Sequence, residues 1–280
     1  TKKQQMDRFL TLILMTLIVS SDLAVAQDRP AQSVLTEEGG KSAMRNTYLA
    51  PLLYEGRQIG VRYERWRTMR SYKWTNQQII DADFADGDAE NGQHSTSWSI
   101  RAMYRYAMHR DISHLLCSRC QGLTVLIGPY AGLETGFDYN LKLGSSNNPA
   151  TARFVGNMGV SLASTYDYTL WGQPSKVNLQ VQMPLIGYAF MPEYGASYYE
   201  TFLLESGNNG HFTSLHNEQD LDVRLSTDIP IAVIPWFKRM KTIVRLGAYY
   251  HIETMDINSI VNRYSTFGIS IGWTWKYLPL

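Results

Sequence analysis

The sequence predicts an all-β protein: an antiparallel transmembrane barrel of eight up-and-down strands. Three observations carry that expectation. Eight segments alternate apolar and polar residues with a period of two. The segments are roughly twice the ~5–6 residues of a common soluble strand, long enough for a tilted membrane crossing. Tyr and Trp, 18 and 7 of the 280 residues, gather near segment ends, where a ring with a polar tip suits a membrane–water boundary. A soluble sandwich also alternates, but on shorter strands.

The chain opens with Lys2, Lys3 and Arg8, then the apolar run FLTLILMTLIV at 9–19, then Ala24 and Ala26 at the small positions of an A-x-A site. Residues 1–26 therefore read as a cleaved secretory signal peptide. The 11-residue run is too short to span a bilayer. Residues 27–56 read as a periplasmic lead-in, and 57–280 as the barrel.

The first barrel strand, 57–67, is weakly patterned, with Ile59, Val61 and Tyr63 opposing Gly60, Arg62 and Glu64. In 95–107, Trp98, Ile100, Tyr104 and Tyr106 oppose Ser99, Arg101 and Arg105. In 122–134, Ile127, Ala131 and Leu133 oppose Gly128, Tyr130 and Glu134. In 151–165, Phe154, Met158 and Val160 oppose Arg153, Asn157 and Ser161. The strands at 175–187, 219–229 and 241–253 follow suit, the last two with Asp222, Arg224, Asp228, Arg245 and His251 on the polar face. The last strand, FGISIGWTWKY at 267–277, alternates without a break. As the final strand it must pair with the first, near 57–67, because an open edge cannot stand in lipid. Its aromatic end resembles the C-terminal assembly signal of outer-membrane barrels, with Leu280 where those usually end in Phe.

This order places external loops at 68–94, 138–150, 188–218 and 254–262, and periplasmic turns at 108–121, 166–174 and 230–240. An aromatic girdle is then expected at the periplasmic end from Tyr104, Tyr106, Tyr166, Tyr168, Trp171, Trp236, Trp273, Trp275 and Tyr277. A lumen network is expected from Arg62, Glu64, Arg101, Arg105, Glu134, Arg153, Asp222, Arg224, Asp228, Arg245 and Glu253. Eight strands leave an interior that side chains can fill, so these charges are expected to pair and plug it. A further strand inside 188–218 would make the count ten and widen the lumen.

Composition excludes some functions. Without residues 1–26 the chain holds 23 basic and 23 acidic residues, so no basic surplus points to nucleic acid. No cofactor motif is present. Cys117 and Cys120 form C-S-R-C downstream of His109 and His114, a spacing that matches no zinc module; the segment reads as a turn bearing a disulfide or two free thiols. The acidic DADFADGDAENG at 81–92 lacks the glycine and terminal glutamate positions of an EF-hand and reads as a solvated loop. The expected partners are outer-membrane lipid and lipopolysaccharide, and the barrel-assembly machinery during insertion.

The strings TYLAPLLYEG (47–56), GVRYERWR (60–67), MPLIGYAFMPEYGASYYETF (183–202) and HFTSLHNEQDLDVRLSTDIP (211–230) resemble a group of uncharacterised outer-membrane barrel proteins from Bacteroidetes, classed as a domain of unknown function. That resemblance implies location and fold and no activity. One catalytic constellation can be built. Ser214 and His216 lie two apart, so an extended chain points them the same way, and Asn217 is the nearest orienting group. Barrel lipid hydrolases such as outer-membrane phospholipase and lipid A deacylase also place Ser and His two apart, but as His-x-Ser; here the order is reversed. The alternative is that 211–220 is only a polar rim where a loop rejoins the barrel. Segment 192–209 is too apolar for a solvated loop and reads as a cap or a binding platform over the mouth.

Overall fold

The computed structural model describes residues 31–69, 74–89, 95–116, 122–141, 149–193, 209–234, 236 and 242–277. Eleven strands wind through it: β1 Ala31–Asn46, β2 Ala50–Thr68, β3 Trp74–Ala89, β4 Ser95–Asp111, β5 Leu123–Asn140, β6 Ala150–Leu170, β7 Gln173–Phe190, β8 Gly210–Ser214, β9 Glu218–Pro230, β10 Ile243–Ile257 and β11 Ile260–Tyr277. A single helical turn, Ser113–Leu116, lies between β4 and β5. Both β8 and β9 pair with β7, through Ile186↔Ser214 and Gln182↔Asp222. They are two halves of one barrel position, interrupted at 215–217. Each position pairs antiparallel with its neighbours, β6 joins β7, and β1 joins β11. The sheet is therefore a closed barrel of ten positions.

The count of eight is thus corrected to ten. The added strands are β1, inside the segment read as a lead-in, and β3, inside the segment read as the loop 68–94. Two consequences follow. β11 pairs with β1 in unbroken register from Asn46↔Asn262 to Ala31↔Tyr277, not with the strand near 57–67. β2 runs in the same direction as β4, opposite to the sense expected for 57–67, because β3 stands between them. The reason both strands escaped notice is chemical. Glu37, Gly39 and Gly40 interrupt the alternation of β1, and Asp81, Asp83, Asp86 and Asp88 give β3 the composition of a loop. The 188–218 segment holds only the short β8 among its described residues, continuing a strand already counted.

Two hairpins close on two-residue turns, Trp171-Gly172 and Asn258-Ser259, all four residues at positive φ of 47–79°. That mirror-image turn matches the twist of antiparallel strands. The small inward residues of β11 have a cause in the wall itself. A Cβ on Gly268 would sit 2.4 Å from Gly39 O, and one on Gly272 2.3 Å from Leu35 O. The curved β1–β11 seam needs glycine there for backbone approach.

With the end where β1 begins called the lower end, the lumen has three levels. The upper mouth is filled by apolar side chains: Tyr48 and Leu49 from the β1–β2 turn pack with Val155, Ala189, Met191, Met255, Ile257 and Ile260, beside a cluster of Met44, Ala50, Tyr54, Ala85, Ala89 and Tyr264. Thr47 N donates to Val261 O at 3.1 Å and Val261 N to Thr47 Oγ1 at 2.8 Å, which ties the turn into the mouth. Charged groups occupy the middle. A cavity of about 340 Å³ occupies the lower end.

Candidate functional site

All eleven charged residues expected in the lumen point inward, and all but Arg224 are less than 9% exposed. The upper part of the network is a cross-barrel knot. Arg101 on β4 reaches Glu253 on β10 at 2.7 Å. Arg153 on β6 holds Glu253 at 2.6 Å and Glu134 at 2.6 Å. The Arg101 guanidinium lies 3.3 Å from the centroid of the Tyr264 ring, a cation–π contact in a desolvated place. Next below, Arg105 pairs with Asp220 at 3.0 Å and donates to Gln182 Oε1 at 3.1 Å. His251 Nδ1 lies 3.4 Å from the other Asp220 oxygen.

The lower part joins six strands, β1, β2, β3, β7, β9 and β10. Arg62 contacts Glu64 at 2.7 Å and Asp81 at 3.0 Å. Arg224 contacts Asp222 at 2.9 Å, Asp81 at 3.2 Å and Glu38. Arg245 grips Asp228 with two parallel bonds of 2.6 and 2.8 Å, the fork geometry that suits a carboxylate. Gln77 and Gln180 exchange side-chain hydrogen bonds of 3.2 and 2.7 Å across the lumen. Each guanidinium is desolvated by the barrel and compensated by carboxylates from other strands, which is the condition for burying charge at all.

Sequence reasoning missed Glu38, Asp81, Asp83 and Asp220 as members. Glu38 and the two aspartates arrive on the overlooked β1 and β3. A signal did exist in β3, where Ile80, Ala82 and Phe84 oppose Asp81, Asp83 and Ala85. The expectation of a solvated acidic loop at 81–92 is corrected over the described residues. Asp81 is buried, Tyr264 OH donates to Asp83 Oδ2, and Asp86 and Asp88 lie outward in β3.

The lower cavity is lined by Thr36, Glu38, Arg62, Glu64, Trp66, Asn178 and Arg245, among others. Beside it, His109 stacks on Trp66 with centroids 5.4 Å apart, and His109 Nε2 lies 2.9 Å from Ser161 Oγ. Gln182 Nε2 also donates to Ser161 Oγ, at 3.1 Å. His109 and Ser161 are both fully buried, so this histidine–serine pair has no path to a substrate.

The other pair lies outside. Ser214 ends β8, and His216 lies in the turn that interrupts the β8–β9 position. Ser214 Oγ and His216 Nδ1 are 2.6 Å apart. Ser214 N donates to Asn217 Oδ1 at 2.8 Å, and Asn217 Nδ2 donates to Phe212 O at 3.0 Å. The structure thus brings serine and histidine together, but spends the Asn217 amide on the turn rather than on the imidazole. Leu215 and His216 are exposed. An imidazole nitrogen stands within hydrogen-bond reach of a serine hydroxyl; a group orienting the imidazole and a dry pocket for an acyl chain are not built by the contacts of these three residues.

The outward face is largely apolar between the strand ends, with Glu37 and Lys41 of β1 as exposed charges on it. Trp273 and Tyr166 are exposed there at 44% and 50%, and Trp171 and Trp236 in the lower turns at 80% and 93%. Trp275 and Tyr63 approach to 6.4 Å, and Tyr104, Tyr106 and Tyr168 are partly exposed. A second aromatic group lies toward the upper end, with Trp98 within 5.2–6.3 Å of Tyr139, Phe137 and Phe84. The side chain of Tyr277, residues 1–26, Cys117, Cys120, Glu90 and most of 192–209 lie outside the described residues. Among the described residues, no three His, Cys, Asp or Glu side chains are grouped to hold a metal ion.

No curated protein sequence matches the chain. Among solved structures it is similar to the translocator domain of the autotransporter NalP from Neisseria meningitidis, at 8% identity and a TM-score of 0.41 over 97% of this chain and 98% of that one. It is similar to the β domain of the Bordetella autotransporter BrkA, at 11% and 0.40 over 90% and 100%, and to OprG from Pseudomonas aeruginosa, at 10% and 0.27 over 87% and 96%. Likenesses this faint say nothing of activity. The family described as "Protein of unknown function (DUF3316)" matches residues 9–278, and the chain belongs to it.

Proposed function

We propose that this protein is an outer-membrane barrel of a diderm bacterium, of the Bacteroidetes kind, exported by residues 1–26, with a plugged lumen and a structural or surface-interaction role. The outward apolar band supports the membrane reading, since such a face in water would be an association hazard. The band's lower aromatic rim supports a periplasmic position for the end where β1 begins. The observation that carries the plugged lumen is the sequence of filled levels, an apolar layer across the upper mouth directly above the Arg101–Arg153–Glu134–Glu253 knot. An ion entering from below would meet paired charges and then a dry layer.

Planar-bilayer recording tests this reading. The purified protein is expected to give no steady single-channel conductance. Reproducible conductance from a preparation that shifts mobility on heating, as barrels do, would overturn the plug and favour a narrow pore.

The 2.6 Å contact between Ser214 and His216 supports a second reading, a lipid-acyl hydrolase in which His216 draws the proton from Ser214 during attack on an ester. It ranks second because the pair is solvent-facing and Asn217 serves the turn. Turnover of phospholipid or lipid A by the wild type, abolished in Ser214→Ala with the barrel intact, would raise it to first place. Absence of turnover leaves the contact as a turn-stabilising hydrogen bond.

A further inference from the structure

On the outward face one strand departs from the rest. On β2 the outward residues run Arg57, Ile59, Val61, Tyr63, Arg65, and on β11 they run Phe267, Ile269, Ile271, Trp273, Trp275. Between them, β1 presents Leu35, Glu37, Gly39 and Lys41. Glu37 is exposed and stands opposite Val61 and Ile271, at the midpoint of the span from Arg57 to Arg65. Among the described residues it has no ion-pair or hydrogen-bond partner, in a chain that pairs its buried charges thoroughly. An ionisable group facing the hydrocarbon is disfavoured and marks a site that something else completes.

The position beside it is empty. A Cβ on Gly39 would meet nothing within 4 Å. Its flanking neighbours Ile59 and Ile269 are consequently 63% and 73% exposed, the two most exposed aliphatic side chains on the strands; the next is Met158 at 56%. The face is therefore a shallow groove with a bare floor, two isoleucine shoulders, a carboxylate at one end and the Lys41 ammonium at the other.

We propose that this face of β1 is a docking surface, inside the membrane, for a second copy of this chain. The proposal rests on the membrane reading above. The charge pattern selects the occupant, because one short stretch supplies both halves of an ion pair. Two copies inserted in the same sense are related by a twofold axis along the membrane normal. Their tilted β1 strands then cross, and a crossing at Gly39 lets the backbones approach closely, as small residues do in membrane interfaces. Glu37 lies below the crossing and Lys41 above it. The long Lys41 stem reaches down toward the Glu37 carboxylate of the second copy, and the symmetric pair forms likewise. Ile59 and Ile269 are covered by the same contact.

The test uses the full chain in lipid nanodiscs, with Cys117→Ser and Cys120→Ser as background. Gly39→Cys is expected to give a covalent dimer with a short bis-maleimide. Met158→Cys, at the same kind of outward position on β6 across the barrel, is expected to give at least tenfold less. By native mass spectrometry the wild type is expected to be a dimer, and Gly39→Leu to lower the dimer fraction at least tenfold. Glu37→Lys should separate the copies by a similar factor, and the double change Glu37→Lys with Lys41→Glu should bring them back together. A wild-type monomer, equal cross-linking at both cysteines, or a double variant no better than Glu37→Lys would overturn the proposal. Heat-modifiable mobility is scored on every variant: failure of the wild type there would count against the membrane reading itself, whereas a monomeric but heat-modifiable barrel would count only against the docking surface.

Discussion

The two ends of the lumen are built from the same ten strands and solve burial in opposite ways. At the upper end, apolar side chains from the β1–β2 turn and seven strands close the mouth, and the arginines just below it are pinned by carboxylates on distant strands. At the lower end, arginines on β2 and β10 border a cavity of about 340 Å³, and charge is relieved partly by local pairs. The difference teaches where rigidity resides. Upper contacts tie strands 100 and 152 residues apart in sequence, so they hold the cross-section. Lower contacts are mixed: Arg245–Asp228 joins neighbouring strands and holds only the wall, whereas Arg224–Asp81 and Gln77–Gln180 also cross the ring.

Four changes would sharpen or break that contrast, in order of expected size. Arg153→Ala leaves Glu134 and Glu253 short of a partner in a dry interior, and should cost about 3–5 kcal/mol, the usual penalty for stripping one side of a buried pair; urea unfolding in lipid vesicles measures it. Ile260→Ala opens a void in the upper apolar layer and should cost about 2–4 kcal/mol by the same assay. Because Gln77 and Gln180 satisfy each other, changing both to leucine should cost less than changing either alone, since a single change strands one buried amide. Lys176→Ala removes a rim pair with Asp167, 2.9 Å long but 39% and 54% exposed, and should change stability by less than about 1 kcal/mol. If Arg153→Ala proved no worse than Lys176→Ala, the upper knot would not be what holds the barrel closed.

Legibility in the sequence followed the same division. β11 could be read residue by residue, because its outward positions all meet one solvent. β1, its hydrogen-bonded neighbour, could not, since Glu37 and Gly39 break the apolar alternation of its outward positions. β3 was hidden for a different reason: Asp81 and Asp83 look like loop residues until Arg62, Arg224 and Tyr264 appear opposite them. Missing those two strands also reversed the direction of β2 and left β11 with the wrong partner. The serine–histidine pair at 214 and 216 was visible because it is local. What its neighbours do was not visible: Asn217 looked like an orienting amide and instead caps the turn.

By itself the sequence determined that the described fold is built of β-strands, which side of most strands faces outward, and that eleven particular charged residues turn inward. A period of two needs only the local pleat and a contrast between two environments, and both are written along the chain. The tertiary structure alone decided the count of ten, the closure of β1 on β11 and the choice of carboxylate for each arginine. Those depend on strand register and on distances across a closed ring, where residues far apart in the chain become neighbours, and no short-range pattern encodes that.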